Sequence, residues 1–279
     1  MSTNVLRLSL ALVFLAGVMW IGTGYPYPVY ADARTWLWLA LSAVVGYLFG
    51  DWCLFNSYLV IGARFGQLFM TLAPLFAAIA GWAILGESLG WKAITAMAVT
   101  LCGIAISILS RDDGHHLTLS LPLKGVLLGI GAGLGQGVGL VLSKVGVQYY
   151  AAAIPEDAPA AMDTFLPFAS TMIRAAVGAL GFVGMMALQR DLPRLKAAVA
   201  DRTGMRYALI VTLFGPVLGV SLSLMAVRYA NAGIASTLMA LTPVLILIPY
   251  AFMYKQRIRF REISGVVVSM LGVSMFFLL

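Results

Sequence analysis

An aspartate inside an otherwise apolar stretch, Gly50-Asp51-Trp52-Cys53, is where this sequence has most capacity for chemistry. An ionised carboxylate in apolar surroundings is costly unless it is paired or hydrated, so Asp51 points to coupling of a proton or a solute. A buried ion pair with Arg7, Lys144 or Arg174 that only fixes helix packing is the plainer account of the same residue. Arg7 and Arg174 each open an apolar run, where a guanidinium either snorkels to the interface or meets an anionic group of a solute.

The remaining polar groups in apolar surroundings gather in two places. Gln67, Thr71, Ser236, Thr237 and Thr242 lie close in sequence to two prolines, Pro74 and Pro243. Each proline removes a backbone donor and loosens the carbonyl four residues earlier, which suits either a hinge or a simple bend. The hydroxyls and amide would then either line a solute pathway or tie helices together. Gln136 stands within Gly129-Ile-Gly-Ala-Gly-Leu-Gly-Gln-Gly-Val-Gly139, where it either faces the centre of a bundle or bridges two helices. Asp51, Gln67, Thr71, Pro74, Gln136, Lys144, Arg174, Ser236, Thr237, Thr242 and Pro243 are therefore the expected pathway residues.

Other chemistries are poorly supported. The glycine run has no following Lys-Ser or Lys-Thr and no preceding strand, so it is not a phosphate loop. On a helix it instead presents two adjacent glycine faces, Gly129, Gly133 and Gly137 beside Gly131, Gly135 and Gly139, each open to close approach by a neighbour. Arg111-Asp-Asp-Gly-His115-His116 holds metal-capable side chains, but a hydrated linker explains it better than a site needing three or four ligands at fixed spacing. No nucleophile, base and orienting group can be assembled, so an enzyme is not expected, and no cofactor or metal is implied.

The elements that must position these residues follow from composition. Of the 279 residues 61% are hydrophobic and 10% charged, against about 25% charged in a soluble domain. The chain is expected to be an all-α integral membrane protein, since backbone groups in lipid must bond within their own segment. Nine spans are expected: Val5 to Gly22, Thr35 to Val60, Phe65 to Leu85, Trp91 to Ser110, Gly125 to Val147, Phe165 to Leu188, Tyr207 to Arg228, Ala232 to Tyr254 and Phe260 to Leu279. Cys53 and Cys102 both lie within spans and read as packing residues. Trp20, Tyr25, Tyr27, Tyr30, Trp36 and Trp38 flank the first two spans as interfacial anchors. The net charge of +7 is carried mostly by loops and gives no sign of nucleic acid.

The chain is written twice. Shifting Ala63 to Ser110 forward by 169 lays it on Ala232 to Leu279 with nine of 48 positions identical, Pro74 on Pro243 and Gly103 on Gly272. The same shift pairs Gly46 with Gly215 and Gly50 with Gly219, and a shift of 167 pairs Arg7 with Arg174 and Gly17 with Gly184. Two repeats are expected, residues 1–113 and 122–279, the first lacking the counterpart of Gly125 to Val147. Matched spans are five crossings apart, so the copies insert in opposite orientation, the inverted repeat of secondary transporters. Twelve Lys and Arg fall on one side of the spans and three on the other, which places Arg64, Arg111, Arg194 and Arg257 in the cytoplasm and Leu279 outside.

These features resemble the ten-helix EamA-type transporters of the drug/metabolite transporter superfamily. The resemblance rests on Asn4-Val-Leu-Arg7 opening a helix, on Met70 to Pro74 and Met239 to Pro243, on Leu85-Gly-Glu87, and on Gly103 and Gly272. It implies five-plus-five inverted repeats, of which nine helices are present here, a central cavity, and export or uptake of small metabolites by alternating access; for this chain export across the cell (inner) membrane is expected. It also implies a cytoplasmic C-terminus, against which the charge count is preferred. The alternative is a truncated, non-transporting bundle acting through a partner. Expected partners are a small-molecule solute, the lipid bilayer and, as an option, a second copy in a homodimer.

Overall fold

The computed structural model describes residues 2–110, 122–189, 192–242, 244–245 and 260–278, and all regular elements among them are helical. They are α1 (Ser2–Thr23), α2 (Ala33–Ala43), π1 (Val44–Asp51), α3 (Trp52–Met70), α4 (Ala73–Leu85), α5 (Trp91–Ser110) and α6 (Leu123–Ala153), followed by α7 (Ala160–Leu188), α8 (Leu192–Ala200), α9 (Arg202–Thr212), π2 (Leu213–Gly219), α10 (Val220–Tyr229), α11 (Ala232–Met239) and α12 (Phe260–Leu278). Among the described residues six helical stretches are long and apolar enough to cross a bilayer: Ser2–Thr23, Ala33–Ala63, Phe65–Leu85, Leu123–Ala153, Ala160–Leu188 and Arg202–Tyr229. Trp91–Ser107 and Ile263–Met275 are shorter apolar helices. With large apolar side chains such as Ile21, Leu59, Trp82 and Leu180 exposed along them, these helices belong to an all-α, multi-pass membrane protein.

The expected eighth span begins as α11 and runs on beyond the described residues. Pro243, Arg111, His115 and His116, Arg190 and residues 255–259 also lie outside them. The basic stretch after Leu188 is not all loop: α8 and the start of α9 occupy much of it.

Helix starts and distortions recur at the 169-residue spacing. Asp32 caps α2 by accepting from the Thr35 amide at 2.8 Å. Asp201, 169 residues on, caps α9 by accepting from the Thr203 and Gly204 amides at 3.0 and 3.1 Å. Both helices then run into a π-helical turn, π1 from Val44 and π2 from Leu213, again 169 apart. Within π2 the Val220 amide reaches back to the Gly215 carbonyl, five residues earlier, as an inserted residue in a helix requires.

A second matched distortion lies at the prolines. Helical hydrogen bonding breaks at Thr71 and Leu72, whose amides donate to carbonyls three residues back, Leu68 and Phe69. The equivalent break falls at Ala240 and Leu241. Pro74 therefore does not bend a continuous span at its middle but sits in the first turn of α4, where a missing amide costs nothing.

The chain forms two compact units, one of residues 1–48 and 139–229, the other of residues 49–138 and 230–279. Each takes segments from both halves of the sequence.

In the second unit α5 packs along α12, its own repeat mate. A Cβ on Gly103 would fall 2.6 Å from Ser269 Oγ and 2.8 Å from the Gly265 carbonyl oxygen, while one on Gly272 would fall 2.8 Å from Thr100 Cα. Thr100 and Ser269 are themselves repeat mates, so the contact is reciprocal. As residue number rises along α5 it falls along the contacted face of α12, so the two run antiparallel.

In the first unit α1 packs along α7, also its repeat mate. Gly178 faces Leu8 and Gly22 faces Phe165, again antiparallel. Their core is Val5, Leu8, Ala11, Leu15, Ala43, Tyr47, Ala175, Ala179, Phe182, Met186 and Val217.

Candidate functional site

Asp51 ends π1, and the residue that meets it is Gln136 of α6, whose Nε2 donates to Asp51 Oδ1 at 2.8 Å. Glycines bring the two helices together. A Cβ on Gly50 would lie 3.3 Å from the Gly135 backbone carbon, and one on Gly131 would lie 3.0 Å from Cys53 Sγ. The other glycine face of α6 meets the α3–α4 break: a Cβ on Gly133 would lie 2.9 Å from the Phe69 carbonyl oxygen, and Gly129 abuts the Phe69 ring. The two glycine faces read from the sequence thus receive two different neighbours, and Gln136 is delivered to Asp51.

The groups around Pro74 and Pro243 behave differently. Thr71, Thr237 and Thr242 donate to carbonyls three or four residues back, those of Leu68, Gly233 and Met239, at 2.6, 2.7 and 2.7 Å. Such back-bonding eases bending and leaves the hydroxyl oxygen able to accept. Gln67 donates to the Tyr58 hydroxyl and, like Thr242, is exposed, whereas Thr71, Ser236 and Thr237 are buried.

A residue missed by sequence reasoning joins the same unit across the repeats. α4 stops at Gly86, whose φ of 65° suits glycine, and Glu87 turns back so that its Oε2 accepts from the Ala232 amide at 2.8 Å. A carboxylate at the start of α11 satisfies a donor that a helix N-terminus leaves open and faces the positive end of its dipole. Leu85-Gly-Glu87 was legible as a helix stop, but its target was 145 residues away.

Lys144, Arg7 and Arg174 lie in the first unit, where Lys144 and Arg174 are buried. Arg174 Cζ stands 4.7 Å from the centroid of the Tyr47 ring in π1. Its repeat mate Arg7 addresses the other π-helical turn: a Cβ on Gly215 in π2 would lie 3.5 Å from Arg7 Nη2. Each arginine therefore faces the distorted turn of the opposite repeat. No group of three or more metal-capable side chains occurs among the described residues.

Comparison with known proteins gives a family and a fold. The model of the family described as "EamA-like transporter family" matches residues 1–109 and 158–278. No curated protein matches the sequence. A solved structure titled "Crystal structure of protein" is similar over 98% of this chain and 86% of that one, with a TM-score of 0.69 and 12% identity. At that identity the likeness carries the fold alone.

Proposed function

The chain belongs to the EamA-like transporter family, and from that premise we propose that it exports small organic metabolites across the cell (inner) membrane by alternating access. The observation that carries this reading is the pairing of distortions. Two π-helical turns and two helix breaks recur at the 169-residue spacing, and distorted turns at matched sequence positions give each half the same place to flex. Rocking of one repeat against the other about a fixed site needs that equivalence.

In this reading residues 1–113 and 122–279 are the two repeats. The pathway runs past Asp51 and Gln136, with Thr71, Ser236 and Thr237 beside the helix breaks. Asp51 is the coupling group: a carboxylate held by an amide at the end of a π-helical turn changes its hydrogen-bonding when that turn rearranges. The reading is tested with purified protein in proteoliposomes, screened for flux of a panel of labelled metabolites. Solute-specific flux that Asp51→Asn removes supports it, and failure of every solute to move would overturn it.

A further inference from the structure

We propose that Arg174 and Arg7 bind an oxyanion group, a carboxylate or a phosphate, of a small solute. The inference rests on the transport reading for what the ligand is, though not for whether an oxyanion binds.

Four observations in the first unit lead to it. Arg174 is only 5% exposed, and the contact its guanidinium makes is with an aromatic face, which does not neutralise the charge. Its Nε, and the Nε of Arg7, are buried with no hydrogen-bond partner among the described residues. Ser170 and Thr212 are among the further buried hydroxyls in the same condition. Ser170 Oγ lies one turn before Arg174 on the same face of α7, and Thr212 Oγ1 lies at the entry to π2. Such groups are normally satisfied, and several of them in one unit call for a ligand that accepts without donating.

Geometry allows one ligand to take both arginines. With α1 and α7 antiparallel and Leu8 level with Gly178, Arg7 and Arg174 stand roughly 8 Å apart along the helix axes at 1.5 Å per residue. Two long side chains separated by that interval can each donate to one carboxylate or phosphate, the planar fork matching its oxygens. Tyr47 holds the Arg174 fork from one side, and Gly215 keeps the space beside Arg7 free of a side chain. Because each arginine also faces a π-helical turn of the other repeat, ligand bound here draws the two distorted turns into one arrangement.

The test uses the full chain in lipid-free neutral detergent. Its unfolding midpoint is followed against sodium phosphate and sodium acetate, with sodium chloride replaced so that ionic strength stays constant. Expected is a saturable rise in the wild type, with the half-effect concentration increased about tenfold or more in Arg174→Gln and Arg7→Gln. Without oxyanion, Arg174→Gln should unfold no lower than the wild type, because it removes a buried charge for which the described residues supply no counter-charge. Should that variant not fold, Arg174→Lys, which keeps the charge but loses the fork, is expected to weaken binding by about the same factor.

A wild type with no saturable rise, or variants with unchanged half-effect concentrations, would overturn the site. Stabilisation seen only with phosphatidylglycerol vesicles would also overturn it, since the occupant would then be a lipid headgroup. Metabolite flux with no oxyanion binding sinks this inference and leaves the transport reading standing. Binding lost in Arg174→Gln, with no solute ever moved, does the reverse.

Discussion

Gln136 Nε2 donates to Asp51 Oδ1 across 85 residues of sequence. The contact exists because Gly50 and Gly135 let the two backbones approach, so an amide on one helix reaches a carboxylate on the other. Hydrogen bonds to a charged group contribute about 1.5–3 kcal/mol, enough to set which state of the turn is populated.

Asp51→Asn is expected to abolish solute flux in proteoliposomes while expression and the unfolding midpoint stay near wild type, since asparagine keeps an oxygen that accepts from Gln136. Gln136→Leu should reduce flux as well and also lower stability by about 1–3 kcal/mol. A double-mutant cycle on unfolding should return a coupling of similar size. Unchanged flux in Asp51→Asn would remove that residue from the mechanism.

Glycine substitutions should divide by repeat position. Gly103→Val and Gly272→Val drive side chains into the backbone of the partner helix, and each should destabilise by about 1–3 kcal/mol or prevent folding. Gly17→Ala and Gly184→Ala, at another matched pair where a Cβ meets nothing within 4 Å, should be neutral or stabilising by about 0.5–1 kcal/mol. Thermal unfolding of the four proteins in one detergent checks the division, and equal sensitivity at both pairs would contradict the packing described.

Glu87→Ala should cost about 1–2 kcal/mol, the loss of an N-terminal acceptor from α11. Glu87→Gln should cost less, because an amide oxygen still accepts from Ala232 while the charge is gone. Hydrogen exchange at the Ala232 amide provides the direct readout: protection should fall in the alanine variant and largely persist in the glutamine one.

Cysteines introduced at Arg194 and Arg257 should react with an impermeant thiol reagent from the cytoplasmic side alone. Both belong to the side that carries twelve of the fifteen Lys and Arg outside the spans' interiors. Labelling from the opposite face would invert the orientation and place Leu279 in the cytoplasm.

The sequence by itself determined that this is a helical membrane protein, where most spans lie and that its parts recur at a spacing of 169. These are one-dimensional properties: apolar run length answers to bilayer thickness, and a duplicated gene keeps its register. The glycine faces of α6 were also legible, because helical periodicity is local. What only the tertiary structure decided was partnership. That Gln136 meets Asp51, that Glu87 caps α11 and that Arg174 faces Tyr47 depend on how helices distant in sequence are laid side by side, which periodicity leaves open. The π-helical turns were likewise invisible, because one extra residue in a helix leaves no compositional mark. It is held there by packing, and it re-aims all the side chains that follow.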